Sequence, residues 1–191
     1  MNSILAFDEI NALRRDVGEW FATGKPKYKE EDIIDELFDL LLLAYAMGDT
    51  VTLQNLGVEL PESESPTMYD VLKVVNEKVA DKTWKERVED YFANNGTEED
   101  IIRVAETEMH RVANTAALEA AKKAGAKTKT WQTMMDDRVR ETHDYLLGVE
   151  VGIDDDFITF DGDRGQAPGL FTMAENNVNC RCELVFSRGE S

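Results

Sequence analysis

Long apolar runs are missing from this sequence. The longest, "LLLLAYAM" at residues 40–47, falls far short of the ~20 residues that cross a bilayer. That length excludes a membrane-spanning helix and argues against a membrane partner. Positive charge is scarce as well: 21 Lys and Arg stand against 39 Asp and Glu, for a formal net charge of −18. The deficit sits mainly in the first hundred residues, where 23 acids face 10 bases. Phosphate neutralisation supplies most non-specific affinity for duplex DNA, so that half repels it. Its acidity serves solubility, or faces a basic partner. A basic–apolar–small leader is absent, because Asp8, Glu9, Arg14 and Arg15 interrupt the start. The expectation is a chain that stays in the cytoplasm where it is made. Glycine-rich phosphate loops, serine-nucleophile motifs, internal repeats and low-complexity tracts are missing too. Cysteine occurs only twice, at Cys180 and Cys182.

What is present reads first as helix. "FDEINALRRDVGEWF" places Phe7, Ile10, Leu13, Val17, Trp20 and Phe21 near helical spacing. "GKPK" breaks the pattern. "EEDIIDELFDLLLLAYAMG" follows, with acids in its first turn and Gly48 as its stop signal. Its second half is apolar all round, which predicts central burial or an assembly interface. The loop of residues 57–66 leads to Ser65–Pro66, read as cap and first-turn proline of the next helix. Thr83 and Glu86 form a capping box. Thr97 opens a long helix that Gly125 closes.

After Gly125 the texture changes. "KTKTWQTM" reads as a strand, "DDRVRETHDYLLG" as a short helix or turn, and "CELVF" as a closing strand. The fold class is α+β: a mostly helical N-terminal region, then a small domain with a few short strands packed on a long helix. The boundary falls at residues 96/97, giving a helical docking region, 1–96, and a second domain, 97–191.

Three chemistries compete at "NCRC", residues 179–182. A disulfide between residues i and i+2 closes a strained ring and needs oxidising surroundings. A metal site needs further ligands. Two thiols can also pack as small apolar groups. If the stretch is extended, Arg181 points opposite to the cysteines and reaches Asp136 or Asp137. Trp131 reads as a core anchor. Glu106 and Glu108, with His110 nearby, read as an acid–base group or as a solvated helix face, and Glu106 and His110 share a face at i, i+4. "DDD" at 154–156 and "DGDRG" at 161–165 read as acidic loops, or as a cation site that lacks the EF-hand ligand series.

The order of "RVAETEMHRVANTAAL", "KTWQTMMDDRVRETHDYLLG", "APGLF" and "NCRC" with its hydrophobic strand resembles the phage minor head, or head morphogenesis, proteins of the phage Mu protein F type. The resemblance covers the last ~90 residues and implies a non-enzymatic structural role. Glu106, Trp131, Asp137, Arg138, Arg140, His143, Asn179, Cys180, Arg181 and Cys182 carry the motif. The implied partners are the portal and the major capsid protein, with packaged DNA a further candidate, and several copies per head. The implied location is the virion head interior, after assembly in the host cytoplasm. Family members with C-x-x-C before H-x-N-C-R-C resemble zinc proteins. Here Arg140 and His143 stand at the C-x-x-C positions, and the preceding histidine is missing. The expectation is therefore no cofactor. Zinc on His143, Cys180 and Cys182, with Asp137 or Asp144 as a fourth ligand, is the alternative. A toxin-like nuclease or transferase using His143, Arg138, Arg140 and Glu106 is the enzymatic alternative. An acidic nucleic-acid mimic that inhibits a basic protein is a third.

Overall fold

The computed structural model describes residues 5–23 and 29–189. The "GKPK" break and the side chains of Phe7 and Ile10 lie outside the described residues. Helix α1 spans Leu5–Thr23, α2 Glu30–Leu56, α3 Met68–Val75, α4 Trp84–Ala93 and α5 Glu98–Lys123. A single short helix, α6 (Glu141–Asp144), follows strand β1 (Thr128–Gln132). Strands β2 (Glu150–Gly152), β3 (Phe157–Ile158), β4 (Arg164–Gly165) and β5 (Glu183–Ser187) complete an α+β fold.

Local chemistry sets the helix starts. The Thr97 amide donates to Asp100 Oδ2 at 2.9 Å, and the Asp100 amide donates back to Thr97 Oγ1 at 3.3 Å. Thr83 and Glu86 make the same reciprocal pair at 2.7 and 3.2 Å. Each pair satisfies donors that the first turn leaves unpaired. The start of α3 differs from the sequence expectation. Its cap is Thr67, not Ser65, because Thr67 has Asp70 three residues on to close the box. At the far end of α5, the Gly125 and Ala126 amides return to Lys122 and Ala121 carbonyls at 3.0 and 2.9 Å. That closure needs Gly125 at φ 78.

The stop signal read at Gly48 is a correction. Helix α2 runs through it to Leu56 and ends at Gly57, φ 65. Gly48 instead lets α2 and α5 touch backbone to backbone. A Cβ built there would lie 2.1 Å from the Ala113 carbonyl oxygen. Alanine normally stabilises a helix interior by ~1 kcal/mol over glycine. Here Gly48→Ala is expected to lower stability by ~1–3 kcal/mol, because backbone must move. A urea midpoint above that of the parent would contradict the close approach.

Helix α2 is the centre of the larger core. Ile33, Ile34, Leu37, Leu40, Leu41, Ala44 and Tyr45 are buried against α1, α3, α4 and the N-terminal part of α5. Most of its apolar surface is thus used within the chain, with Leu42, Leu43 and Met47 half-buried and Ala46 exposed. Trp20 of α1 closes one end, edge-on to Phe92 with ring centroids 4.7 Å apart.

The second core is small. Strand β1 lies between β2 and β5 in an antiparallel sheet ordered β2-β1-β5. Trp131 pairs with Leu184, and Lys129 with Val151 and Phe186. Trp131, Leu146, Phe157, Phe171, Cys180 and Cys182 form the cluster beneath. The β3–β4 ribbon frames the loop that returns to "NCRC".

Candidate functional site

The site is built by two segments meeting over Trp131. The first is the stretch of residues 134–147 that contains α6. The second is the loop of residues 163–182. Trp131 is fully buried, with His143, Phe157 and Phe171 ring centroids 5.2, 5.1 and 5.6 Å away.

Asp163 holds the loop. Its Oδ1 accepts the amides of Arg164 (2.8 Å) and Thr172 (3.1 Å) and the Thr172 hydroxyl. Its Oδ2 accepts the Met173 amide (3.0 Å) and Asn176 Nδ2 (2.9 Å). Burial pushes this carboxyl up, but the donors outweigh it and its pKa lies below the ordinary value. A depressed carboxyl stabilises the fold above the unfolded pKa of ~3.9, and that contribution is lost as pH falls through the folded value. Asp163→Asn places an amide N–H against donors and is expected to cost ~1–3 kcal/mol at neutral pH. The difference in melting temperature from the parent should narrow as pH falls from about 5 to about 2. A difference that stays constant over that range would contradict the ionised acceptor. The "DGDRG" stretch, read as an acidic loop or cation site, thus contributes a buried acceptor whose two oxygens are taken. In "DDD", Asp154 pairs with Lys122 at 2.9 Å.

From this frame, Asn177 bonds both main-chain groups of Phe171, at 2.9 and 2.7 Å. Asn179 takes φ 57, a left-handed conformation that asparagine tolerates better than most residues. The chain then straightens into β5. Cys180 and Cys182 turn inward as free, buried thiols. Arg181 turns outward and binds Asp136 with two bonds of 2.7 Å. That fork holds the Asp136 carboxyl down at about 2. Arg140 donates its guanidinium to the carbonyls of Glu175 and Val178, tying α6 to the loop.

His143 lies beneath, fully buried, with Nδ1 3.5 Å from both Cys180 Sγ and Cys182 Sγ. Its Nε2 meets no hydrogen-bond partner among the described residues. The Cys180 thiol is acidified, chiefly by hydrogen bonding with Cys182, with Arg140 and Arg181 adding to the effect. Cys182 moves the other way. A spacing of 3.5 Å suits N–H···S bonding. It also suits the edge of a tetrahedron with metal–nitrogen and metal–sulfur bonds of ~2.0 and ~2.3 Å. Three donors converge, all within 4.8 Å of one another. Neither Asp137 nor Asp144 joins them. A structural zinc site is closed by four protein ligands, so the set is one short. Arg138, Arg140 and Arg181 line the same small pocket as the donors.

The other candidates separate. Glu106 faces Arg14 at 2.9 Å on the helical side. His110 turns to Asn114, 3.1 Å away, and burial lowers its pKa. Glu106 and His110 therefore do not meet. Asp137 and Arg138 are exposed.

Two buried charged features differ from their sequence reading: Glu108, read with Glu106 and His110 as an acid–base group or a solvated face, lies in the core, and Arg111 and Lys129 were not singled out. Glu108 and Arg111 form a buried pair on α5. Lys129 is buried over the Phe157 ring, with no partner for Nζ among the described residues. Burial draws its pKa down to about 8. Both carried a signal. Glu108 falls on the stripe of Ile101, Ala105 and Val112, and Lys129 alternates in phase with Trp131.

The family profile described as Phage Mu protein F like protein matches residues 74–185, from α3 into β5 and more than half of the chain. The chain belongs to the Phage Mu protein F like family. One relative is the minor head protein GP7 of Bacillus phage SPP1, 36% identical over 85 residues, 43% of this chain and 28% of that protein. Another is the NAD(+)–arginine ADP-ribosyltransferase EFV of Enterococcus faecalis, 36% identical over 88 residues, 44% of this chain and 18% of that protein. The chain thus spans less than a third of either relative. No solved structure matches. The Mu F match encloses the whole site, from Trp131 to Cys182.

Proposed function

We propose that this chain is a structural, non-enzymatic minor head component of a phage particle. It associates with the portal and major capsid protein during head assembly, in several copies, and stays in the head interior. The observation that carries this reading is the Mu F family match together with the likeness to a minor head protein. Packaged DNA is a further contact for the least acidic surfaces. The docking part in this reading is residues 1–96, which expose Met68 and Tyr69 and share a core with the first half of α5. The transferase relative favours catalysis, but the match covers 18% of that protein. Of the residues that would serve as catalysts, His143, Arg138 and Arg140 line one small pocket, but Glu106 is held on Arg14 away from it and His143 lies between two thiols. Sucrose-gradient co-sedimentation with purified portal and capsid protein tests the reading. The chain should travel with one of them; free sedimentation beside both would overturn it.

The His143, Cys180 and Cys182 cluster works in this reading without metal, as a packed, hydrogen-bonded wedge under α6. Three ligands leave the coordination sphere open, and neighbouring guanidinium groups oppose a dication. Chelator is expected to leave the melting temperature unchanged. Zinc content should stay well below one per chain by elemental analysis. Stoichiometric zinc, with a chelator-induced drop in melting temperature, would show a metal centre instead.

A further inference from the structure

One apolar surface has no use in the fold or the site described above. After β1 the chain turns through Met134 and Met135. Met135 sits at φ 53, in the left-handed region that side-chain-bearing residues rarely adopt. Its amide is pinned to Thr133 Oγ1 at 3.3 Å, and its side chain is 74% exposed. Strain of this kind persists where surrounding structure imposes it, and it clusters at functional surfaces. Met135, Val139 and Leu147 line an open groove of about 550 Å³, rimmed by Asp136, Glu141 and Asp144. Asp136 is committed to Arg181. Glu141 and Asp144 have no ion pair among the described residues, and both are exposed.

We propose that this groove takes a basic amphipathic segment of a partner protein. Its apolar side chains lie among Met135, Val139 and Leu147, and its Lys or Arg side chains meet Glu141 and Asp144. The inference rests on the reading of the chain as an assembly component and names the chemistry of one partner. Charge selects the occupant. A second copy would bring another chain of net charge −18 to an acidic rim. DNA or an anionic lipid surface would bring phosphates to the same carboxylates. An amphipathic segment with basic flanks satisfies both the apolar floor and the rim, and a methionine wall adapts to varied side chains.

The test uses the full chain with isotope-labelled methionine methyl groups. The probe is a synthetic Lys/Leu amphipathic peptide of about 14 residues, with a Glu/Leu peptide of the same pattern as control. The Met135 resonance is expected to shift with the Lys/Leu peptide and not with the Glu/Leu peptide. Leu147→Asp should weaken binding by roughly 10-fold or more. This variant adds negative charge, so attraction by charge alone would strengthen binding, and that result would overturn the proposal. Equal binding of the Glu/Leu peptide would overturn it too. Leu147 is 39% exposed, so calorimetry of the variant first establishes that it is folded at the temperature of the binding measurement. Met135→Gly, which relieves the left-handed strain, should raise the melting temperature and lower affinity. Co-sedimentation with purified portal and capsid protein is read independently, so a failed groove and a failed assembly role give different results.

Discussion

Replacing Arg111 with alanine is expected to destabilise the protein by ~3–5 kcal/mol, the cost of breaking a buried ion pair from one side. Arg111 and Glu108 are 2% and 1% exposed. Arg111 Nε donates to Glu108 Oε2 at 2.9 Å, and Nη2 donates to the carbonyls of Val74 and Val75 at 3.0 and 3.4 Å. Nη1 reaches Glu77 at 3.2 Å, and Arg87 Nη2 meets the other oxygen of Glu108 at 2.6 Å. Arg111 therefore caps the end of α3 and neutralises a carboxylate inside the helical core. Alanine leaves the Val74 and Val75 carbonyls without this donor and Glu108 with Arg87 as its remaining cation. The companion double variant Glu108→Met/Arg111→Met should recover part of the loss, because an apolar pair of similar volume removes both desolvated charges while the Val74 and Val75 carbonyls stay without their donor. Chemical denaturation of the two variants checks both statements. A loss under ~1 kcal/mol for Arg111→Ala would contradict the buried network.

Trp131→Ala should cost a similar ~3–5 kcal/mol. The second core has six buried members, and Trp131 touches three of its rings or their neighbours. Removing an indole from so small a cluster leaves a cavity that short strands fill poorly. For a chain of this size the melting temperature should fall by roughly 6–20 °C. Calorimetry reads the shift directly. A drop of less than ~2 °C would place Trp131 outside the stabilising core.

How much of this was legible depended on whether the information was local. The capping box at Thr83 and the helix start at Thr97 are written within four residues, so the sequence predicts them. The strand around Trp131 shows in its β-branched and aromatic residues, and the alternation that separates Arg181 from its flanking cysteines needs no partner to be read. Gly48 was misleading because its role is set by Ala113, 65 residues away. Arg111 was invisible as a core residue because its acceptors Val74 and Val75 lie more than 35 residues back. Asp163 reads as part of an acidic loop or cation site, yet its partners come from Thr172, Met173 and Asn176. Long-range contacts decide the polarity of an interior, and local propensity does not encode them. The convergence of His143 with Cys180 and Cys182 spans 37 and 39 residues. Residue spacing alone did not link them; the resemblance did.

The central claim is that this member of the Mu F family is built into phage heads. Quantitative mass spectrometry of purified particles and of their head precursors tests it most directly. The account predicts peptides of this chain in both, at several copies per particle and far below the major capsid protein. Absence from both, in lysates where the chain is abundant, would contradict it.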